Sequence, residues 1–370
     1  MRLRSLSLCN FRNLAAVEVE PHPAFTVVAG ENGQGKTNLL EAIYYLLCLR
    51  PLRPARLRDL IRVGETASSI AARIERAGVT EELRARLDGE GRQLTQNGKP
   101  VVDLQCYLEG GAVVAFNPED LAIVRAAPER RRRYLDRAVF TRWPAYLAES
   151  RDYGRLLRSR NRLLQERAPA PLRESFEGPL VNAGARLVAR RRAWLLEIGP
   201  ALEEAFRRIG RTAKDVTVQY QGAPPGNEAE IASWLRERLQ ERLALDLDRG
   251  FSSAGPHVDD LRFTLAGLDA RRFASQGQAR ALIISLKVAE VENLRGRFGA
   301  PPLLLLDDVS SELDPARNRS LLDHLGDISA QVILTTTDPA PLLSRISGRA
   351  ALWRVREGAV DPLGALEYEG

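Results

Sequence analysis

The sequence predicts an α/β protein: a phosphate-loop core with an antiparallel β meander, interrupted by a short helical, coiled-coil-like arm. Three observations carry this expectation. An apolar run, Phe25 to Ala29, feeds the stretch Gly30-Glu31-Asn32-Gly33-Gln34-Gly35-Lys36-Thr37, and leucines at helical spacing follow. Late in the chain a second apolar run, Leu303 to Leu306, ends in Asp307-Asp308. Between the two, the pattern turns helical, arginine-rich and amphipathic. The expected division is therefore a head split in sequence, 1–127 and 248–370, around an arm at 128–247.

At the amino terminus, Leu6 and Leu8, then Val17 and Val19, alternate with polar residues as half-buried strands do, with Asn10-Phe11-Arg12-Asn13 as the turn between them. Phe25 to Ala29 is apolar on both faces, as a central strand must be. Leu39, Leu40, Ile43, Leu46 and Leu47 then mark a helix. From Ser69 to Pro100 alternation returns, and Asn97-Gly98 signals a hairpin. Ala112 to Phe116 reads as a strand stopped by Asn117-Pro118. In the arm, Leu156 and Leu163 lie seven apart, as do Leu180, Leu187 and Trp194, with Val181, Val188, Leu195 and Leu202 beside them. Pro169-Ala170-Pro171 suits a reversal into an antiparallel helical hairpin. A strand at Val216 to Tyr220 and a helix around Ile231 to Leu243 complete the arm. Leu261 to Leu265 is the next strand, then a helix from about Gln276 to Arg297. A helix near Pro315 to Leu325 and strands at Val332 to Thr336 and Leu352 to Val355 close the chain.

The chemistry starts at Gly30 to Thr37, which fits G-x-x-x-x-G-K-[ST] with a strand before it and a helix after it. Glycines let the backbone N–H groups approach phosphate oxygens, Lys36 reaches the outer phosphates, and the Thr37 hydroxyl ligates Mg²⁺. The helix amino terminus strengthens the anion site. This motif predicts binding of a nucleoside triphosphate. Asp307, at the carboxyl end of a parallel-type strand, is placed to hold the metal ion, and Asp308 to orient or deprotonate the attacking water.

Composition narrows the rest. With 44% hydrophobic and 28% charged residues, the 370-residue chain is globular rather than disordered. Its longest apolar runs are far too short to span a bilayer, so no membrane association is expected. No apolar leader follows Met1, and Cys9, Cys48 and Cys106 lack metal-ligand spacing, so reduced cytoplasmic thiols are expected. The net charge of +6, nearly all from arginine, permits an acidic partner. Arginines cluster at Arg130 to Arg133, at Arg190 to Arg192, and at Arg207, Arg208 and Arg211; each cluster is either a solvated helix face or a phosphate contact.

Ahead of the helix at Gln276 lies Ser275-Gln276-Gly277-Gln278, and Ser310-Ser311-Glu312-Leu313-Asp314 follows Asp308. In this order the motifs resemble an ABC-type ATPase head. In such heads the Ser-x-Gly-Gln signature of one subunit contacts the γ-phosphate held by another, so the nucleotide joins two heads. Within that group, five stretches resemble the RecF family of bacterial DNA repair proteins. They are Asn10 to Asn13, Phe116 to Leu121, Arg131 to Asp136, Gly255-Pro256-His257-Val258-Asp259-Asp260-Leu261, and Ala274 to Gln278, in the family's order over nearly the whole chain.

The resemblance implies a cytoplasmic recombination mediator that binds ATP and Mg²⁺, dimerises on ATP and hydrolyses it slowly under DNA stimulation. It implies binding to single-strand gaps and single-strand to double-strand junctions, and loading of RecA with RecR and RecO in repair, replication restart and SOS induction. It also implies that Arg12 approaches the nucleotide, while Ser275, Gly277 and Gln278 act in trans. Three positions depart from the family's usual pattern: Val258 replaces an arginine, Ala274 a leucine, and Thr335-Thr336-Thr337 stands where a switch histidine is usual. No polarising glutamine is identified near Asn117. The alternative reading is an ABC-type ATPase engine for a separate nuclease or transporter chain; the short insert and the missing transmembrane stretches weigh against it.

Overall fold

The computed structural model describes residues 1–109, 112–210, 214–308, 315–346, 348 and 350–365. Two compact units emerge: Met1–Leu121 with Arg208–Arg211 and Arg280–Gly370, and Ala122–Arg207 with Thr212–Ala279. No helix among the described residues is long and apolar enough to cross a membrane.

The first unit holds two six-stranded sheets. One is antiparallel: β1 (Arg2–Phe11), β2 (Leu14–Val19), β4 (Ala67–Arg76), β5 (Val79–Asp88), β6 (Gly91–Gln96) and β7 (Lys99–Pro100), in the order β2-β1-β4-β5-β6-β7. The Asn97-Gly98 hairpin pairs Gln96 with Lys99, as expected. The other sheet runs β15-β14-β3-β13-β12-β8. Its strands are β3 (Phe25–Ala29), β8 (Val113–Phe116), β12 (Leu303–Leu306), β13 (Val332–Thr336), β14 (Ala350–Arg356) and β15 (Ala359–Ala365). All neighbours are parallel except the β14–β15 hairpin, which extends the single closing strand expected from the sequence. Strands β3, β8, β12 and β13 are buried at every residue, which explains their predominantly apolar sequences; the threonines Thr26, Thr335 and Thr336 are buried with them. Helix α1 (Lys36–Cys48) touches both sheets, so it is buried all round rather than along one stripe.

The second unit is helical around a three-stranded antiparallel sheet, β11-β10-β9, with β9 (Val216–Gln221), β10 (Asp260–Leu265) and β11 (Leu268–Asp269). This sheet moves the second boundary from 248, where the sequence placed it, to near 279. Strand β10 pairs along its whole length with β9 inside the insert, from Asp260 opposite Gln221 to Leu265 opposite Val216, and it carries the signature segment with it.

Helices α3 (Pro128–Arg142), α4 (Tyr146–Gln165) and α5 (Ala170–Gly210) form the arm; a short helix α2 (Leu104–Glu109) precedes them in the first unit. Helices α4 and α5 are antiparallel, since Glu149 pairs with Arg190 and Arg160 with Glu177. On α5 the expected seam positions Leu180, Val181, Leu187, Val188, Trp194, Leu195 and Leu202 are all buried, while Leu196 is exposed. On α4 the seam differs from expectation. Leu156 and Leu163 are only half-buried, and the buried line is Tyr146, Tyr153, Arg160 and Leu164. A seven-residue repeat is present, but three of its members are polar, so counting leucines missed it. Helices α6 (Glu228–Glu241) and α7 (Leu243–Arg249) replace one expected helix, while α8 (Ala270–Phe273) and α9 (Gln276–Phe298) follow the sheet.

Candidate nucleotide site and the arginine network

The phosphate loop leaves β3 and enters α1 through two residues at positive φ, Gly33 (81°) and Gly35 (119°). A Cβ at Gly35 would lie 2.7 Å from Asn13 Oδ1, and one at Gly30 would run into the Val355 carbonyl oxygen, so both positions demand glycine. Neighbouring turns clamp the loop. Asn13 Nδ2 donates to the Gln34 carbonyl at 2.9 Å, and the Gly358 N–H donates to the same oxygen at 3.0 Å. Asn38 in turn donates to Asn13 at 2.8 Å.

Lys36 is buried, and its ammonium donates to the carbonyls of Gly30 (2.6 Å) and Glu31 (2.8 Å). Burial lowers its pKa, against the opposing pull of Asp308 and Asp307. The Thr37 hydroxyl lies 2.9 and 2.8 Å from the two Asp307 carboxylate oxygens. Burial raises the Asp307 pKa, and hydrogen bonds from Thr335 and Thr37 work against that rise. The structure thus brings Lys36, Thr37, Asp307 and Asp308 to one loop although 270 positions separate Thr37 from Asp307.

Thr335 belongs to this group and was not assigned from sequence. Its hydroxyl donates to Asp307 at 2.8 Å and accepts the Asp308 N–H at 2.9 Å. Its place follows from strand pairing: β12 and β13 are parallel with Leu306 beside Leu334, which puts the next residues, Asp307 and Thr335, side by side. Asp308 takes a left-handed φ of 49°, so its side chain leaves the strand direction. Asn117 is buried, and its side chain caps the Asp120 N–H at 3.0 Å.

Arg12 is held beside the loop. Its Nε donates to Glu41 at 3.0 Å and its Nη1 to the Asp59 carbonyl at 2.8 Å. Glu41, fully buried on α1, also pairs with Arg53 at 3.2 Å. The donor set suits Mg²⁺. Thr37 and Asp307 are hard oxygen ligands, and no cluster of three or more acidic, His or Cys ligands exists among the described residues. A small cation here would complete its shell with phosphate and water, as Mg²⁺ prefers.

The signature segment lies in the second unit at the start of α9. Gln278 N–H donates to Ser275 Oγ (3.2 Å), and Ser275 N–H donates to Gln278 Oε1 (2.9 Å), a reciprocal cap. Ser275 itself is exposed. The Ser310 to Asp314 motif lies outside the described residues.

Each of the first two arginine runs has one buried member, Arg131 and Arg191, while Arg130, Arg133, Arg207 and Arg208 are exposed. Arg131 forks onto Asp260 at 2.6 and 2.5 Å and is buried, while Arg132 donates to the Asp259 carbonyl at 2.8 Å. Arg191, also buried, donates to Asp136 (2.8 Å), the Tyr146 hydroxyl (2.9 Å), the Tyr220 hydroxyl (3.2 Å) and the Pro256 carbonyl (2.6 Å). Tyr220 donates to Asp259 at 2.5 Å, and burial pushes the Asp259 carboxyl up to about 6. His257 stands between the Tyr153 hydroxyl (2.7 Å) and the Ser252 carbonyl (2.9 Å), and burial lowers its pKa. The Gly255 to Leu261 motif therefore ties β10 to α3, α4, α5 and β9, and Val258, nearly half exposed, takes no part in that network. Arg211 of the third cluster lies outside the described residues.

Residues 2–346 match the family described as the RecF/RecN/SMC N terminal domain. The chain is 49% identical over 371 residues to the DNA replication and repair protein RecF of Anaeromyxobacter dehalogenans strain 2CP-1, covering 98% of this chain and 100% of that one. It is 46% identical to the RecF of Myxococcus xanthus, covering 95% of each. A solved structure described as the recombination mediator protein RecF-ATP in the RecFOR pathway superposes with a TM-score of 0.88 at 30% identity, covering 98% of this chain and 97% of the other. An Smc head bound to the C-winged helix domain of ScpA shares the fold at a TM-score of 0.58 and 16% identity, covering 100% of this chain and 98% of the other. The phosphate loop, its acidic strand end and the full-length match together show that this chain belongs to the bacterial RecF family, within the RecF/RecN/SMC group of ATPase heads.

Proposed function

We propose that the chain is an ATP-gated, DNA-binding recombination mediator. The observation that carries this reading is the convergence of Lys36, Thr37, Asp307 and Asp308 on one glycine-rich loop. ATP with Mg²⁺ supplies a polyanion and a cation that this cluster complements. Lys36 leaves the loop carbonyls to neutralise phosphate, Thr37 and Asp307 hold the metal ion, Asp308 orients water, and Arg12 reaches the nucleotide from the Asn13 turn. Ser275, Gly277 and Gln278 of a second copy close the site, so ATP drives a homodimer.

The ATP-loaded dimer binds DNA at single-strand gaps and junctions. There it acts in the cytoplasm with RecR- and RecO-type partners to load recombinase, which serves repair, replication restart and SOS induction. Slow, DNA-stimulated hydrolysis releases it. The relatives' names and their nucleotide-bound structure support this reading.

The test is sedimentation with ATP–Mg²⁺ and a gapped duplex. The parent should dimerise and bind, Lys36→Met should do neither, and Ser275→Arg should bind ATP yet stay monomeric. A Lys36→Met protein that still binds DNA in an ATP-dependent manner would sink the gating, and a dimeric Ser275→Arg would sink the composite site.

A further inference from the structure

The sequence runs of arginine each bury at most one member among the described residues, and α4 carries a different set that no run reveals. Arg151, Arg155, Arg158 and Arg162 are spaced i, i+4, i+7 and i+11, and all four are exposed. At 100° per residue they fall within a narrow sector of the helix, opposite the buried line of Tyr146, Tyr153, Arg160 and Leu164. At 1.5 Å of rise per residue the row is about 16 Å long. Between Arg151 and Arg162 the helix has a single carboxylate, Asp152, which sits off the row and pairs with Arg155 at 3.2 Å. Glu166 pairs with Arg162 at 2.8 Å. Both pairs are exposed and easily exchanged for a stronger anion. Arg151 and Arg158 make no ion pair among the described residues.

We infer that this face of α4 is a contact for the phosphate backbone of duplex DNA, which rests on the DNA-binding reading above and adds the residues that carry it. Phosphates recur along each strand of a duplex, so a row of this length reaches several of them on the backbone it lies against. Guanidinium forks grip phosphate oxygens in pairs, which suits arginine rather than lysine at each position. The face offers no platform for unpaired bases. Tyr146 and Tyr153 are buried, and Trp143, just ahead of the helix, is covered by the guanidinium groups of Arg142 (4.7 Å) and Arg190 (5.6 Å). Backbone contact without stacking selects the duplex side of a gap over its single strand and carries no base sequence preference.

The experiment uses the full chain with ATP–Mg²⁺ and fluorescence anisotropy of a blunt duplex across a salt series. Two neutralised phosphates account for a slope of about 1.8 in log K against log salt. The Arg151→Ala/Arg158→Ala variant should lose that much slope, and affinity on the order of thirtyfold at about 0.15 M salt. Arg151→Lys/Arg158→Lys should keep most of the slope. Both variants should keep parental ATP affinity and helical content, and a single-stranded oligonucleotide of equal length should register a smaller loss. A parent that binds no DNA in any nucleotide state refutes the function reading itself. A parent that binds duplex, beside an alanine variant with unchanged slope, refutes only the placement on α4. An unchanged slope together with lost binding to an acidic protein would give the row to that protein instead.

Discussion

Replacing Thr335 with valine tests the least expected member of the nucleotide site. The change keeps the side-chain shape and removes one hydroxyl, which in the parent donates to Asp307 at 2.8 Å and accepts the Asp308 N–H at 2.9 Å. Thr335 and Asp307 are both buried, so water does not readily replace either bond. A hydrogen bond to a charged acceptor contributes about 1.5–3 kcal/mol, and leaving the Asp308 N–H without its acceptor adds roughly 1 kcal/mol. The expected loss is therefore about 2.5–4 kcal/mol of stability. Losing the Thr335 hydrogen bond, which holds the carboxyl down, also lets burial push the Asp307 pKa further upward. With its second anchor gone, the carboxylate can also turn away from Thr37. Urea denaturation gives the stability, and a Mg²⁺ titration of fluorescent-ATP binding gives the metal dependence. Thr335→Ser should restore both. A valine variant within about 0.5 kcal/mol of the parent and with the same Mg²⁺ midpoint would refute the role assigned to this hydroxyl.

Three further outcomes follow from the geometry. Gly30→Ala should fold but lose nucleotide affinity, because its Cβ meets the Val355 carbonyl and the loop must shift; equilibrium dialysis with ATP checks it. Arg191→Met should destabilise the second unit by about 3–5 kcal/mol in denaturant, since it leaves buried partners uncompensated, and Arg191→Lys should recover only part of that because one ammonium cannot serve four acceptors. For pH, His257 is held neutral with a folded pKa below its unfolded value, so its contribution is complete above about pH 6.5 and fades as the pH falls. Asp259 runs the other way: with a folded pKa near 6 against about 3.9 unfolded, it opposes folding above pH 6 and is relieved as pH drops toward 4. His257→Gln should remove the acid-side loss, while Asp259→Asn should be more stable than the parent at about pH 7.5, by at most about 3 kcal/mol, and no more stable near pH 4.

The head was legible because its physics is local. A buried parallel strand needs a mostly apolar run, and a phosphate loop needs glycines at fixed offsets, so Phe25 to Thr37 and Leu303 to Asp308 could be read directly. What escaped was nonlocal or polar. Thr335 matters only because β13 lies parallel to β12, a pairing that spacing along the chain does not encode. The α4 seam was missed because a tyrosine or arginine becomes a core residue only once a partner such as His257 or Asp246 faces it. The boundary at 279 rather than 248 depends on β10 choosing β9, and both read simply as strands. The arginine runs looked like surface because charge usually is; burial of Arg131 and Arg191 was decided by carboxylates and carbonyls far away in sequence.

The junction at Arg191 bears on how the second unit comes apart. Asp136, Tyr146, Tyr220 and Pro256 reach it from four separate segments, and Arg131 and Tyr220 fasten the same loop a second time through Asp260 and Asp259. No segment can peel away alone without exposing an ion to apolar surroundings, so partial openings are disfavoured over a complete one. The amides of α3, α4, α5 and β9 beside the junction should therefore exchange with solvent at one shared free energy, as a single foldon, instead of fraying in sequence order.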